Sequence, residues 1–365
     1  MSSPANLAER IIDWLHTDQL QVDEQWSYLL PTGFTWWADQ YSQTVEFVKE
    51  ETGPSGETGY QLCVRTELLR DLDLDHTALE QINALPMRYA SMSGPVYDAA
   101  ARRLDLWSLV RVTDDNETWI RYLLAAAAVT QLAEARMLGP VLAEAVGALP
   151  ATSDHPESGQ RTAAHQMASA ASTFVVAGDG PCAWPESEFA EVLGQCTQVA
   201  PAVSAESDGL GFTVEFPFGD RTSSLRATGE QSHPLYGNGL LILQRFPVES
   251  PSGVELALSL NGADLTREPA GYGLGSYSYS DGAIHFSQFV PNALYKPGLL
   301  ANLYFSAAAR AHRMASRFAE GLWDADAYSL DAAVLEGRRK DRQAAMPVVE
   351  RAMTGCPMMR ARAGG

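Results

Sequence analysis

The chain has 365 residues and a mass of 39.6 kDa, with 46% hydrophobic and 19% charged residues, a length that accommodates two domains. That apolar content excludes a disordered, collagen-like or coiled-coil chain. With 26 basic against 45 acidic residues the formal charge is −19, which repels phosphate backbones and anionic lipid, so neither nucleic acid nor membrane is expected as a partner.

At the start of the chain, Leu7, Ile11, Ile12 and Leu15 recur at helical spacing and predict a short amphipathic helix. No basic region followed by an apolar run is seen there, so no signal peptide is expected and the expected location is the cytoplasm. A strand-rich run from Trp26 to Arg70 follows, punctuated by Pro31, Thr32 and Gly33 and by a Gly/Pro/Ser loop at 52–56. Within it Val45 and Phe47, then Leu62 and Val64, alternate as half-buried strands require. Asp71, Asp73 and Asp75 lead into a helix predicted over Thr77–Leu85 and ended by Pro86. They read as an acidic helix start with Asp75 as cap rather than as a catalytic pair. Val96–Val112 predicts a strand pair or one long bent strand. A helix is predicted from Glu117 to about Val146, with Trp119, Tyr122, Leu123, Ala126, Ala133 and Met137 on one face. The most apolar run in it, Tyr122–Val129, is far short of the roughly 20 residues that span a bilayer.

Pro150–Glu186 is rich in Ala, Ser, Gly and Pro and reads as a linker, with Thr173–Ala177 as a stray strand. Beyond it, Phe189, Val192, Leu193 and Cys196 predict a helix. Strands are predicted at Phe212–Phe218, Ser223–Thr228 and Gly239–Phe246. Val254, Leu256, Leu258 and Leu260 alternate like a strand, yet alignment with Thr77–Leu85 selects a helix. Strands at Ser276–Tyr279 and Ala283–Val290 flank an Asp281-Gly282 turn signal, and Leu300 to Phe318 forms a closing helix. Net charge is −12 over residues 1–150, −12 over 151–336 and +5 over 337–365, where Met346, Met353, Met358 and Met359 accompany the basic residues.

The chain repeats itself. Gly33-Phe34-Thr35 recurs as Gly211-Phe212-Thr213, an offset of 178. Leu62 and Val64 match Leu240 and Ile242, and Ile82-Asn83 matches Leu260-Asn261, at that same offset. Trp107-Ser108 matches Phe286-Ser287 one residue later. The expected fold class is therefore α+β: two tandem α-β-β-β-α-β-β-α domains, each an antiparallel sheet backed by helices, packed as a pseudo-dimer within a single chain. The expected boundaries are 1–149 and 186–323 for the domains, 150–185 for the linker and 324–365 for a basic tail.

That element order, with the acidity and the duplication, resembles the type III secretion chaperone-like fold, also used in YbjN-type domains. The resemblance implies a binding role, holding a partner polypeptide on an exposed groove or sheet, and supplies no catalytic residues.

The residues agree with the absence of chemistry. There is no G-x-S-x-G elbow, H-E-x-x-H pair, Walker A loop or EF-hand loop. Cys63, Cys182, Cys196 and Cys356 are scattered and read as free thiols, and no two histidines are three or four apart. Gly271, Gly273 and Gly275 precede a strand, so they read as a loop and not as a phosphate cradle. No cofactor or metal is expected, and the chain is not expected to be an enzyme. Trp36 and Trp37 fall on opposite faces of one strand; with Tyr277 and Tyr279 they are the candidate partner-binding residues, as aromatic anchors on an open sheet face. The expected function is a protein-binding adaptor or chaperone for an effector, toxin or secretion component. The alternatives are a toxin-neutralising immunity protein working through its acidic surface, and an enzyme with a site between the halves.

Overall fold

The computed structural model describes residues 6–52, 56–168, 182–199, 204–207, 209–266 and 271–319. Helix α1 (Leu7–Trp14) starts at Asn6, whose side chain accepts the Glu9 N–H at 3.0 Å while the Glu9 carboxylate accepts the Asn6 N–H. The helix runs into a π turn (Leu15–Gln19) and, after a short 3₁₀ turn (Glu24–Trp26), into four antiparallel strands: β1 (Ser27–Leu30), β2 (Gly33–Trp37), β3 (Ser42–Thr52) and β4 (Thr58–Arg70). Next come α2 (His76–Arg88), β5 (Gly94–Asp98), β6 (Arg103–Val112) and the 30-residue α3 (Glu117–Val146). A two-residue strand, β7 (Leu149–Pro150), pairs with β4.

The second half repeats the order: α4 (Glu186–Val199), β8 (Ser204–Ser207), β9 (Gly211–Phe218), β10 (Arg221–His233), β11 (Gly237–Phe246), α5 (Gly253–Thr266), β12 (Ser276–Ser280), β13 (Ala283–Pro291) and α6 (Leu299–Ala319). The sheets have the same topology, β1-β2-β3-β4-β6-β5 and β8-β9-β10-β11-β13-β12. The α+β class and the tandem arrangement of two similar halves are thus observed. The first half carries two strands more than the sequence predicts and the second half one more: β1 is absorbed into the strand-rich run in the sequence pattern, β7 is only two residues long, and β8 lies ahead of the first strand predicted in the second half.

Two boundaries differ instructively. Helix α2 runs through Pro86 to Arg88, although proline removes one backbone donor. Pro86 is buried in the last turn, and its carbonyl accepts the Ser287 hydroxyl of the other half at 3.1 Å. The alternating run Val254–Leu260 is helical, and its residues are apolar on more than one face because α5 is packed against both β5 and β12. Asp281 and Gly282, both at positive φ, form the two-residue hairpin their sequence signals. The Thr173–Ala177 strand expectation and the 324–365 tail lie outside the described residues.

One hydrophobic core runs through both halves, from Trp36, Val64 and Leu124 to Phe212, Ile242 and Leu303. Helix α3 is buried along most of its length since it packs on the first sheet and also meets the second half, with Trp119 edge-on to Tyr272 at 5.1 Å and Tyr122 under Lys296. The joint itself is reciprocal. Leu109 on β6 exchanges both backbone hydrogen bonds with Gly273, at 2.8 and 2.9 Å, and Phe289 on β13 donates to the Ser91 carbonyl at 3.3 Å. A Cβ at Gly273 would sit 2.8 Å from the Leu109 carbonyl, so this approach requires glycine.

The outer edge of β12 is closed by carboxamides. Asn261 of α5 accepts the Tyr277 N–H at 2.7 Å and donates to the Tyr277 carbonyl at 3.1 Å; Asn83 of α2 does the same for Tyr279, at 2.7 and 2.9 Å. These asparagines are the pair that the repeat aligns, each serving as a substitute peptide group for an edge strand that would otherwise template aggregation. Asn261→Ala is expected to destabilise the protein by about 2–4 kcal/mol, since it leaves a buried N–H and C=O unpaired. Urea unfolding checks this, and a loss under about 0.5 kcal/mol would show that water replaces the carboxamide.

Candidate functional site

Trp36 and Trp37 do face opposite sides of β2, but neither is open. Trp36 is 0% exposed on the helix-covered face, where its indole N–H donates to Gln43 Oε1 at 3.1 Å and its ring meets His165 edge-on. Trp37, 5% exposed on the other face, donates to Ser153 Oγ at 3.0 Å and packs edge-on to His155 at 5.0 Å. Its cover is the first part of the expected linker, which is docked and not free. Arg161 is buried there: it donates to the Trp37 carbonyl at 2.6 Å, pairs with Asp23 at 3.3 Å and lies over the Trp26 ring. Tyr277 is 1% exposed, with its hydroxyl on the Asp264 carboxylate. Tyr279 is half-buried against Gly253, its hydroxyl donating to the Ser250 carbonyl at 3.0 Å. The expectation that these four anchor a partner on an open face is therefore corrected. Segment 153–161 covers one sheet position, and packing within and between the halves covers the rest.

What remains open is the far edge of the first sheet. Of the four sheet edges, β5 and β12 are enclosed in the joint, and β8 carries Glu206 with no large apolar side chain. Strand β1 is hydrogen-bonded to β2 alone, holds no charge, and exposes Leu29 (77%) and Tyr28 (42%). Natural edge strands are usually blunted by charge, proline or cover; among the described residues β1 has none of these within its four positions. Beside it, on the face opposite the helices, lies a cleft of about 280 Å³. Tyr28, Leu30 and Trp37 form its apolar side; Thr35 and Thr44 its floor, joined hydroxyl to hydroxyl at 2.9 Å; and Glu46, Arg65 and Glu67 its polar end.

The charges at that end form a lattice. Arg103 pairs with Glu67 at 3.0 Å and with Asp105 at 2.7 Å, and Arg65 approaches Asp105 at 3.9 Å while lying over Trp107. Burial raises Asp105 to about 6 against the pull of Arg103 and Arg65. At 2% exposure it has no path to a substrate proton, so its chemistry is that of a structural ion pair. The neighbouring Cys63 is fully buried and its thiol is pushed up, chiefly by desolvation and then by Glu46, which suppresses the nucleophilic thiolate. Among the described residues no group of three or more His, Cys, Asp or Glu is placed to hold a metal ion, and no helix is long and apolar enough to cross a membrane.

Other residues singled out in the sequence have local roles. Asp75 caps α2 through the Ala78 N–H at 2.8 Å, and Asp73 pairs with Arg102 at 2.7 Å. His155 and His233 each accept two backbone N–H groups on Nδ1, closing turns that begin with a His-Pro dipeptide. The β1 edge was signalled by Tyr28, Leu29 and Leu30 standing just before the Pro31-Thr32-Gly33 turn, a run with no alternation of polar residues. No family model matches the chain, and no curated protein or solved structure matches it.

Proposed function

We propose that this chain is a cytoplasmic, non-enzymatic protein-binding adaptor that receives an extended segment of another protein by strand addition at β1. The bare, uncharged, apolar edge of Tyr28, Leu29 and Leu30 carries this reading: main-chain hydrogen bonds supply affinity, and the adjoining cleft takes alternate side chains of the added strand. A net charge of −19 selects against acidic segments, so the occupant is apolar at alternate positions and otherwise neutral or basic. The repeated sheet order, with helices on one face of each sheet, also supports the resemblance to secretion chaperone-like domains, whose role is to hold a polypeptide.

The test is selection of ten-residue peptides from a displayed random library on the full chain, followed by affinity measurement on the wild type and on Leu29→Lys. Leu29 is exposed, so the variant keeps the fold while placing a charge on the edge. Selected peptides are expected to alternate apolar with neutral or basic residues and to bind the variant at least about tenfold more weakly, about 1.4 kcal/mol. Equal binding to both chains overturns the edge. A wild-type dimer abolished by Leu29→Lys in sedimentation assigns the edge to a second copy instead. Displacement of the peptides by synthetic 337–365 assigns it to the chain's own basic tail.

A further inference from the structure

Between the halves lies a buried carboxylate with no cation paired to it among the described residues. Glu134, on α3, is 3% exposed. Its Oε2 accepts the Ser93 hydroxyl and its Oε1 the Tyr236 hydroxyl, each at 2.8 Å, and Ser93 Oγ is 3.0 Å from Ser91 Oγ. Ser91 and Ser93 come from the loop before β5. Tyr236 comes from the turn between β10 and β11, so the cluster spans the joint. The Tyr236 ring is stacked on His233 at 4.7 Å, and Phe289 of β13 covers the imidazole at the same distance. His233 Nδ1 accepts the N–H groups of Leu235 and Tyr236, which places its proton on Nε2, where the buried N–H faces the Ala90 carbonyl of the first half without closing a hydrogen bond. The groups that act on Glu134 are burial and the hydroxyls of Ser93, Tyr236 and Ser91; those on His233 are burial and the Ala90 carbonyl.

This geometry suits two uncharged groups. A protonated Glu134 donates from Oε2 to Ser93 Oγ, which turns its own proton toward Ser91, while Tyr236 still donates to Oε1. Either proton position leaves the hydroxyl chain satisfied, but an ionised carboxylate here would be desolvated with hydroxyl donors alone to offset its charge. We propose that Glu134 and His233 form a proton-exchange latch across the joint: both are neutral while it is closed, and unravelling of the Tyr236 turn away from α3 releases the Glu134 proton to water and, by breaking the two N–H bonds that His233 accepts within that turn, adds one to His233 Nδ1.

Burial raises Glu134 from its ordinary 4.5 to about 7, so its contribution is complete below 4.5 and is lost as pH rises toward 7. Burial lowers His233 from 6.5 to about 4, so its contribution is complete above 6.5 and is lost as pH falls toward 4. Between pH 4.5 and 6.5 one proton leaves and one arrives on opening, and the slopes cancel. The latch therefore holds the joint at constant strength across mildly acidic pH.

Native-state hydrogen exchange at the Leu235 and Tyr236 amides, corrected for intrinsic rates between pH 5 and 6.5, tests this on the wild type, Glu134→Gln and His233→Asn. Asn retains an acceptor for the turn. The wild-type opening equilibrium is expected to be flat. Opening of Glu134→Gln should increase by up to about tenfold per unit as pH falls, and that of His233→Asn by up to about tenfold per unit as pH rises. Asp105 titrates identically in all three chains. A sloping wild type, or a flat profile in either variant, overturns the proposal; should Glu134→Gln not fold, the slope of His233→Asn decides.

Discussion

Asp264→Ala is expected to lower the unfolding free energy by about 3–5 kcal/mol, because it removes the buried carboxylate that faces two guanidinium groups inside the second half. Asp264 is 1% exposed at the end of α5, with the Tyr277 hydroxyl on Oδ2, Arg317 at 3.6 Å and Arg310 Nε at 4.0 Å. Arg310 is equally enclosed: it donates to the Tyr272 carbonyl at 2.7 Å, approaches Gln244 Oε1 at 3.4 Å and lies 3.5 Å over the Phe286 ring. Those contacts satisfy its N–H groups in part but carry no negative charge, so removing Asp264 leaves a desolvated cation. Asp264→Asn keeps an acceptor for Tyr277 and should cost less than the alanine change, which separates the charge from the hydrogen bond. Equilibrium denaturation at neutral pH measures both; a loss under about 1 kcal/mol for Asp264→Ala would mean that water reaches the guanidinium groups and that this interior is wetter than its packing implies.

The equivalent place in the first half is neutral. Gln131, aligned with Arg310 at an offset of 179, accepts the Thr66 hydroxyl at 2.9 Å and donates to Ser108 Oγ at 2.9 Å; Gln43 donates to Thr66 Oγ1 and to the Ala128 carbonyl, both at 2.8 Å. Two halves with one topology thus fill the same space between sheet and helix with different polar chemistry. The repeat was legible because hydrophobic spacing and the asparagines Asn83 and Asn261 persist; both hold β12, Asn83 from across the joint and Asn261 from within its own half. The polar interior has diverged, which is why identity between the copies is low while the sheet order is shared.

Strand parity correctly separated Trp36 from Trp37, since alternate residues must face opposite sides. Parity says nothing of what lies over a face. Trp37 is covered by Ser153 and His155, more than a hundred residues away, in a segment whose Ala, Ser, Gly and Pro content resembles any linker. The same limit applies to Gly273 and Ser91: a glycine run reads as a loop, and only the packed halves show that its backbone completes the edge of another sheet. The β1 edge was obscured for the opposite reason, its Tyr28, Leu29 and Leu30 being absorbed into a longer strand-rich run. Local pattern therefore specified helices, strands and the repeat, while burial of the candidate anchors depended on contacts far apart in sequence.

Trp36→Ala should separate the folding core from the binding edge. It removes the largest side chain of the first sheet's covered face, a change that typically costs about 3–5 kcal/mol through lost transfer energy and the cavity left behind. It also deprives the fully buried Gln43 of the donor to its Oε1, while the Gln43 amide stays committed to Thr66 and Ala128. Trp37→Ala should cost less, because its face is closed by a docked segment that can settle onto β2 and because Arg161 bonds to the Trp37 backbone, which the change retains. Leu29→Lys, at an exposed position, should leave stability within about 0.5 kcal/mol of the wild type. Thermal and denaturant unfolding of the three variants, alongside peptide binding at a temperature where each is folded, gives opposite signatures. Trp36→Ala loses stability and keeps the selected peptides, and Leu29→Lys keeps stability and loses them. Loss of peptide binding in folded Trp36→Ala would mean that the core behind β2 shapes the β1 edge, and the edge could then no longer be treated as a self-contained site.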